Sequence, residues 1–331
     1  MAIPVNLYTR STTAGQGLNG SREDLIDKIF NTSPTETPVV SSIGRSTATN
    51  VLHEWQRDSL VAPNANNALI DGDDTALEAQ TPTERVGNYM QIFSKRPGTS
   101  RRANLVKKAG RKNEQAYLRA NAMLELKRDM EAMVMSKNPA VAPTNTVAGK
   151  SAGLGVQNYF NTSHGVGGST AAWASGVPTA APTAGTGRAL TEALLKTVTQ
   201  ATFIASGAVP SMAVMSPAHK GVFSTFTGLA ASRVNTSVGK GADSQATIVG
   251  GADVYLSDFG KIMVIPHPYT AGATDVHLLN PDYMDMAFLD GFNTEMLGKS
   301  GDSDRELVTV DCGLTVRASS AIGKIADLTG G

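Results

Sequence analysis

Gly15-Gln16-Gly17-Leu18-Asn19-Gly20 has the G-x-G-x-x-G spacing that cradles a pyrophosphate at the start of a helix. That chemistry requires a buried strand before the glycines and a βαβ unit around them. The stretch before it, IPVNLYTRSTT, is a poor buried strand, and Pro34 and Pro38 stand where the next apolar strand belongs. In a chain with 33 glycines such a match arises readily by chance. Five histidines (His53, His164, His219, His267 and His277) offer bases or metal ligands. None lies at ligand spacing from another, and the single cysteine, Cys312, builds no cluster. Serines are too common for a Ser/His pairing to carry information. The residues therefore predict no catalytic centre, no metal and no cofactor.

The remaining chemistry is electrostatic. Residues 95–112, KRPGTSRRANLVKKAGRK, carry eight Lys/Arg and no acid. Such a run binds either nucleic-acid phosphates or the carboxylates of a protein. It has no interleaved aromatics and no recognisable nucleic-acid motif. Acidic counterparts exist in the same chain. Residues 71–84 hold five acids (Asp71, Asp73, Asp74, Glu78 and Glu84) and no Lys or Arg, and residues 282–306 hold seven against Lys299 and Arg305. Net charge is zero, with 29 residues of each sign, so bulk basicity gives no argument for nucleic acid. Each block alone reads as a solvated face. Together they favour pairing within a subunit or between copies, which also fixes register.

Several elements must position these charges. Ser21 starts a short helix, SREDLIDKIF, with Leu25, Ile26 and Ile29 on its apolar side. Two strand-like runs, TNVLHEWQRDSL and RVGNYMQIFSK, flank the polar stretch 61–84. A two-stranded excursion of this kind is marginal alone, and loops this long are usually functional. An arm that gains order on a neighbour satisfies both points. Residues 113–137 form a long helix capped by Asn113, with Ala116, Ala120, Met123, Leu126, Met130 and Met133 on one face. Arg119, Glu125, Arg128, Asp129 and Glu131 cover the rest.

Residues 138–188 are turn-rich, a domain boundary or a surface excursion, with a short strand in VQNYFNTSHGV. From Ala189 helices and strands alternate. ALTEALLKTVTQATFIASG is a helix ended by Gly207, PSMAVMS a buried strand, and PAHKGVFSTFTGL a helix opened by Pro217. Strands follow in 250–269, then two short ones in DVHLLNPDYMDMAFLD, and β-structure returns over 292–328. His267, between Pro266 and Pro268, reads as a rim residue, and Cys312 as a small buried hydrophobe. No apolar run approaches the roughly 20 residues that span a bilayer, and the N-terminus lacks a signal-peptide pattern, so a reducing cytoplasm is the expected setting. With 18 % charged and 5 % aromatic residues, the subunit core is thin, and burial between copies repairs that.

The order of arm, hairpin excursion, basic segment, long helix, α/β insertion and returning strands resembles a tailed-phage major capsid protein of the HK97 fold. SREDLIDKIFNTSPTETPVVSSIGRSTATNVLHEWQRDSL and RVGNYMQIFSKRPGTSRRANLVKKAGRKNEQAYLRANAMLELKRDMEAMVMS are similar to the SU10-like podophage major capsid family. The T-P segment leading to HEWQRD and the helix with ELKRDME carry it most specifically. The likeness is close over about 20–137 and looser over 189–331, where PAHKGVFSTF stands out.

The resemblance implies an α+β fold with an N-terminal arm (1–49) and a β-hairpin E-loop (50–95). A P-domain (96–149) holds the spine helix (113–137), an α/β A-domain spans 150–275, and return strands (276–331) rejoin the P-domain. It implies self-assembly as hexamers and pentamers into an icosahedral head around double-stranded DNA, in a virion assembled in the host cytoplasm. The partners implied are a portal protein, a separate scaffolding protein, a possible decoration protein and packaged DNA held non-specifically, with no membrane. On this reading Trp55, Arg57, Asp71, Asp73, Asp74, Arg101, Arg102, Lys107 and Lys108 make intersubunit contacts. The alternatives are an encapsulin-type compartment shell and a nucleotide-binding α/β enzyme resting on Gly15–Gly20.

Overall fold

The computed structural model describes residues 26–72, 82–226, 253–270, 272–299 and 301–330. The arm contributes α1 (Pro38–Ser42) and β1 (Gly44–Thr47). The excursion is bounded by β2 (Leu52–Arg57) and β3 (Glu84–Tyr89), followed by β4 (Gln91–Lys95), β5 (Gly98–Ser100) and α2 (Arg101–Leu105). The long helix α3 spans Glu114–Val134. Then come α4 (Leu154–Gln157), β6 (Asn161–Ser163), β7 (Trp173–Ala174), β8 (Val177–Pro178) and α5 (Glu192–Ser206). After these lie β9 (Met212–Met215), α6 (Pro217–Phe223), β10 (Val254–Leu256), β11 (Lys261–Pro266) and β12 (Val276–Leu279). The chain closes with β13 (Met284–Leu297), β14 (Ser303–Val316) and β15 (Gly323–Ile325).

The helices begin and end where side-chain chemistry dictates. The Asn113 side chain accepts the Ala116 N–H at 3.1 Å, satisfying one orphan donor of α3. Thr191 and Ser216 do the same for α5 and α6, and Gly207 closes α5 in the left-handed region at φ 68°.

One sheet has strand order β1-β13-β14-β4, with β5 paired to the far end of β14. α3 lies across it. Leu126, Met130, Met133 and Val134 meet Phe93, Val308, Val310, Cys312 and Leu314 in one core. Along β14, residues 306, 308, 310 and 312 are buried and 307, 309 and 311 between them half-exposed, the period of two expected of a sheet covered on one face. Leu126 is fully buried there. Leu126→Ala should cost about 2–5 kcal/mol in a urea melt of the subunit.

The second sheet has order β10-β11-β9-β12-β15-β6. α5 and α6 cover one face through Leu195, Val198, Ala213, Met215, Phe223, Ile262 and Val264. Met212, Val214 and Leu279 point to the other face and join the α3 core, so the two sheets share it. Asn88, buried at the root of the excursion, staples three segments. Its Nδ2 donates to Ser151 Oγ (2.9 Å) and to the Leu314 carbonyl (2.7 Å), and its Oδ1 accepts from Ala152 N–H (2.9 Å).

Several expectations need correction. Residues 26–30 are not helical, and Ile26 and Phe30 are exposed. The segment lies against the 107–112 turn, where Asp27 accepts the Gly110 N–H at 3.1 Å, but it buries too little apolar surface there to offset helix nucleation. Residues 21–25 and Gly15–Gly20 lie outside the described residues. The run 85–95 is two strands, because at Met90 the chain leaves its β2 partner and pairs with β14 instead. The two strands expected in DVHLLNPDYMDMAFLD are β12 and the start of β13, but β13 is not short: it runs on through FNTEML to Leu297. Residues 151–158 are buried, so 138–188 is not simply a surface excursion.

The long helix buries Leu126, Met130 and Met133 as expected, but its first turns present a different face. Ala116 and Ala120 are exposed while Gln115, Ala122 and Glu131 are buried. The first turn leans on the polar turn at Pro97, whose carbonyl accepts from Gln115 Nε2 at 3.4 Å. Cys312 is buried as expected.

Candidate assembly surface

The basic run divides by its partners. Lys95 pairs with Asp129 (3.1 Å) and Glu125 (3.5 Å) on α3. Lys108 (3.0 Å) and Arg111 (2.5 Å) converge on Glu114. Hydrogen bonds from Arg111 and then Lys108 hold that carboxyl below the usual glutamate range. Arg101 reaches Asp302 at 2.8 Å across β5 and β14, an ion pair whose two side chains are both exposed. Arg96, Arg102, Lys107 and Lys112 are exposed and form no ion pair among the described residues. In the sequence the run is one continuous stripe. The structure separates an intrachain half from a free half.

The other predicted contacts fall as follows. Arg57 is engaged in its own subunit, donating to Tyr159 Oη (2.9 Å), Glu84 (3.0 Å) and Ser319 Oγ (3.2 Å), with its guanidinium near the Tyr159 and Trp173 rings. It anchors the excursion's root beside a groove of about 1020 Å³ lined also by Leu60, Tyr159, Ile204 and Arg317. Trp55 is half-buried, and its indole N–H meets no acceptor among the described residues. Asp71 is exposed in the excursion, whereas Asp73 and Asp74 lie outside the described residues. The structure brings Arg57 to the root of the excursion and Arg101 to the β14 edge. Among the described residues, Asp71 forms no ion pair with the basic run of its own subunit.

Two buried clusters escaped sequence reading. Glu131, assigned above to the solvent face, is fully buried, and so is His267, assigned to a rim. The Glu131 carboxylate accepts the N–H groups of Val39 and Val40, each at 2.8 Å, and His267 Nε2 at 2.8 Å. Tyr269 N–H donates to His267 Nδ1 at 3.3 Å, which places the ring proton on Nε2, facing the carboxylate. Tyr269 Oη donates to the Pro34 carbonyl at 2.8 Å. The arm is thus strapped to α3 and to the turn after β11. A glutamate in a helix gives no local sign of this, because its partners lie 91 and 136 residues away.

The second cluster lies where β12 meets β15. His277 and Lys324 are cross-strand neighbours, both buried. Lys324 Nζ donates to the Gly155 carbonyl at 2.7 Å. Burial pushes His277 down to about 4 and Lys324 down to about 8. Asp275 and Lys137 face the same cluster and pair at 2.8 Å. Because the folded-state pKa of His277 lies below its unfolded value, its contribution is complete above pH 6.5 and lost as pH falls towards 4. Subunit stability should drop by about 3 kcal/mol over that window. Lys324 has the same sign at higher pH, so stability rises between about 8 and 10.5. Urea melts at stepped pH check both, and His277→Gln should flatten the acid limb.

Catalytic geometry is lacking among the described residues. Ser216 Oγ lies 3.0 Å from His219 Nδ1, but both residues are fully buried and the serine caps α6. Gly149-Lys150-Ser151-Ala152-Gly153 has the spacing of a nucleophile elbow. Its serine Oγ is buried between Asn88 Nδ2 and Leu314 N–H, without a histidine. The second sheet is mixed, with β9–β11 and β6–β15 parallel and its other pairs antiparallel, not the parallel sheet of a dinucleotide fold. Among the described residues no group of three or more His, Cys, Asp or Glu could hold a metal ion. No described helix is long and apolar enough to cross a membrane.

The fold is that of HK97-like phage capsid subunits. The cyanophage A-1(L) capsid asymmetric unit superposes with a TM-score of 0.62 at 13% identity, covering 93% of this chain and 97% of that one. The Gordonia phage Cozz structure gives 0.60 at 12% identity, covering 99% and 100%. The capsid of a native GTA particle gives 0.60 at 12% identity, covering 97% and 99%. The major capsid protein of Escherichia phage Phieco32 is 31% identical over 118 residues, 36% of this chain and 34% of that protein. The matched stretch is thus about a third of the length of that curated relative. The sequence model of the SU10 major capsid protein family matches residues 9–329, and the chain belongs to that family.

Proposed function

We propose that this chain is the major capsid protein of a phage head, with copies assembling as hexamers and pentamers into an icosahedral shell around double-stranded DNA. The family match over residues 9–329 carries this reading. The arm (1–49), E-loop (50–95), P-domain (96–149), A-domain (150–275) and return strands (276–331) then describe one subunit built to overlap its neighbours. It is a structural protein, not an enzyme. The shell belongs to the virion and assembles in the host cytoplasm. A portal protein, a scaffolding protein, a decoration protein and non-specifically held DNA are its further partners.

The free cations Arg102 and Lys107 mark the seam, with Arg96 and Lys112 beside them. Their complement is the acidic excursion of a neighbouring copy, carrying Asp71, Asp73 and Asp74. Arg57 holds the excursion's root so that its tip can reach out. Electron microscopy of the expressed protein, with scaffold supplied, tests the reading. Closed shells are expected, and a monomer that forms no ring, tube or shell contradicts it. Replacing residues 58–83 by a two-residue turn should leave the subunit's circular dichroism and melt intact while abolishing shells. Normal shells from that variant refute the excursion's role.

A further inference from the structure

The turn between α2 and α3 holds a carboxylate. Gly110 N–H donates to Asp27 Oδ1 at 3.1 Å, and the two residues line a pocket of about 440 Å³ with Lys107, Lys108, Arg111 and Lys112. Glu114 takes Lys108 and Arg111. Lys107 and Lys112, without an ion pair among the described residues, keep the pocket positive around Asp27. Gly110 sits in the left-handed region at φ 75°, and a Cβ there would lie 2.8 Å from Ile29 Cγ1, so glycine lets arm and turn meet this closely.

The contact is specific yet shallow. Asp27 is exposed, and Ile26 (70 % exposed) and Phe30 (67 % exposed) leave most of their surface in water. Tethering holds it. Val39 and Val40 are bonded to Glu131, and Pro34 to Tyr269, so Asp27 hangs a few residues from a fixed point and meets the turn at high effective concentration.

We propose that the 107–112 turn is a carboxylate-binding pocket, and that the arm's own Asp27 occupies it in the free subunit and masks it until a neighbour's acidic excursion takes its place. The excursion is the partner because it carries the complementary charge, five acids and no Lys or Arg over 71–84, and because Lys107 belongs to both the pocket and the seam. The partner rests on the assembly reading above; the pocket and its present occupant do not.

A fluorescein-labelled peptide of residues 69–84, titrated into full-length subunits at low salt and followed by anisotropy, tests it. Asp27→Ala should bind the peptide about threefold or more tightly than wild type. Glu36→Ala removes an exposed acid of the same arm outside the pocket and should leave the affinity unchanged, which controls for net charge. Lys107→Glu with Lys112→Glu should abolish binding. Equal affinity of wild type and Asp27→Ala overturns the mask, as does an equal gain from Glu36→Ala. No binding to wild type or Asp27→Ala, or full binding to the double variant, overturns the pocket. Asp27→Ala should also assemble about threefold faster by light scattering, and slower assembly overturns the mask. A wild-type chain that forms no shell, with the Asp27→Ala gain intact, overturns the assembly reading and leaves the pocket standing.

Discussion

Glu131→Ala is expected to release the arm and lower subunit stability by about 3–5 kcal/mol. The carboxylate receives three donors, the backbone N–H groups of Val39 and Val40 and the Nε2–H of His267, all at 2.8 Å. Removing it strands the buried Val39 and His267 donors, and each unsatisfied buried donor costs about 1–3 kcal/mol. Alanine also leaves a void beside Val39 and Val134, which are fully buried in the same core. Glu131→Gln separates shape from charge. The amide keeps the volume, but its NH₂ must face an N–H group, so a loss of about 2 kcal/mol or more is expected. Urea melts give the loss, and hydrogen exchange over residues 34–42 shows whether the arm is the part that opens. A loss below about 1 kcal/mol for the alanine variant contradicts the strap.

Arg102→Glu combined with Lys107→Glu is expected to abolish shells while leaving the subunit folded. Both side chains are exposed and pair with no acid among the described residues. Reversing them therefore breaks nothing within the subunit. If they face the acidic excursion of a neighbour, two attractive contacts become repulsive, repeated at every equivalent interface of the shell. Arg101→Glu is the control. It breaks the exposed pair with Asp302, costing up to about 1 kcal/mol of subunit stability, and should weaken assembly less than the double reversal. Wild-type assembly should also weaken with added salt, because exposed pairs are screened within about 10 Å at 0.1 M. Light scattering and sedimentation follow assembly, and the melting temperature monitors the subunit. Normal shells from the double variant refute the seam.

Much of this was legible in the sequence, for local reasons. α3 announced itself through its Asn113 cap and apolar spacing, α5 through Gly207, and α6 through Pro217. Patterns that depend on partners were not. Residues 26–30 have helical spacing but leave Ile26 and Phe30 exposed, and 85–95 is continuous in pattern yet changes partner at Met90.

The candidate surface divides in the same way. A block of eight cations is visible in the letters, but which are already neutralised depends on Glu114, Glu125, Asp129 and Asp302. Glu131 and His267 were misplaced because a polar residue in a helix, or between prolines, reads as exposed unless its remote partners are known. Lys324 was unreadable for the same reason, since its burial comes from strands and a helix far along the chain.

The most direct measurement is a reconstruction of the assembled particle by electron cryomicroscopy at side-chain resolution. The account predicts a carboxylate of a neighbouring copy within about 4 Å of Arg102 or Lys107. Both side chains projecting into solvent or the lumen, with no neighbouring carboxylate within a Debye length of about 10 Å, would contradict it.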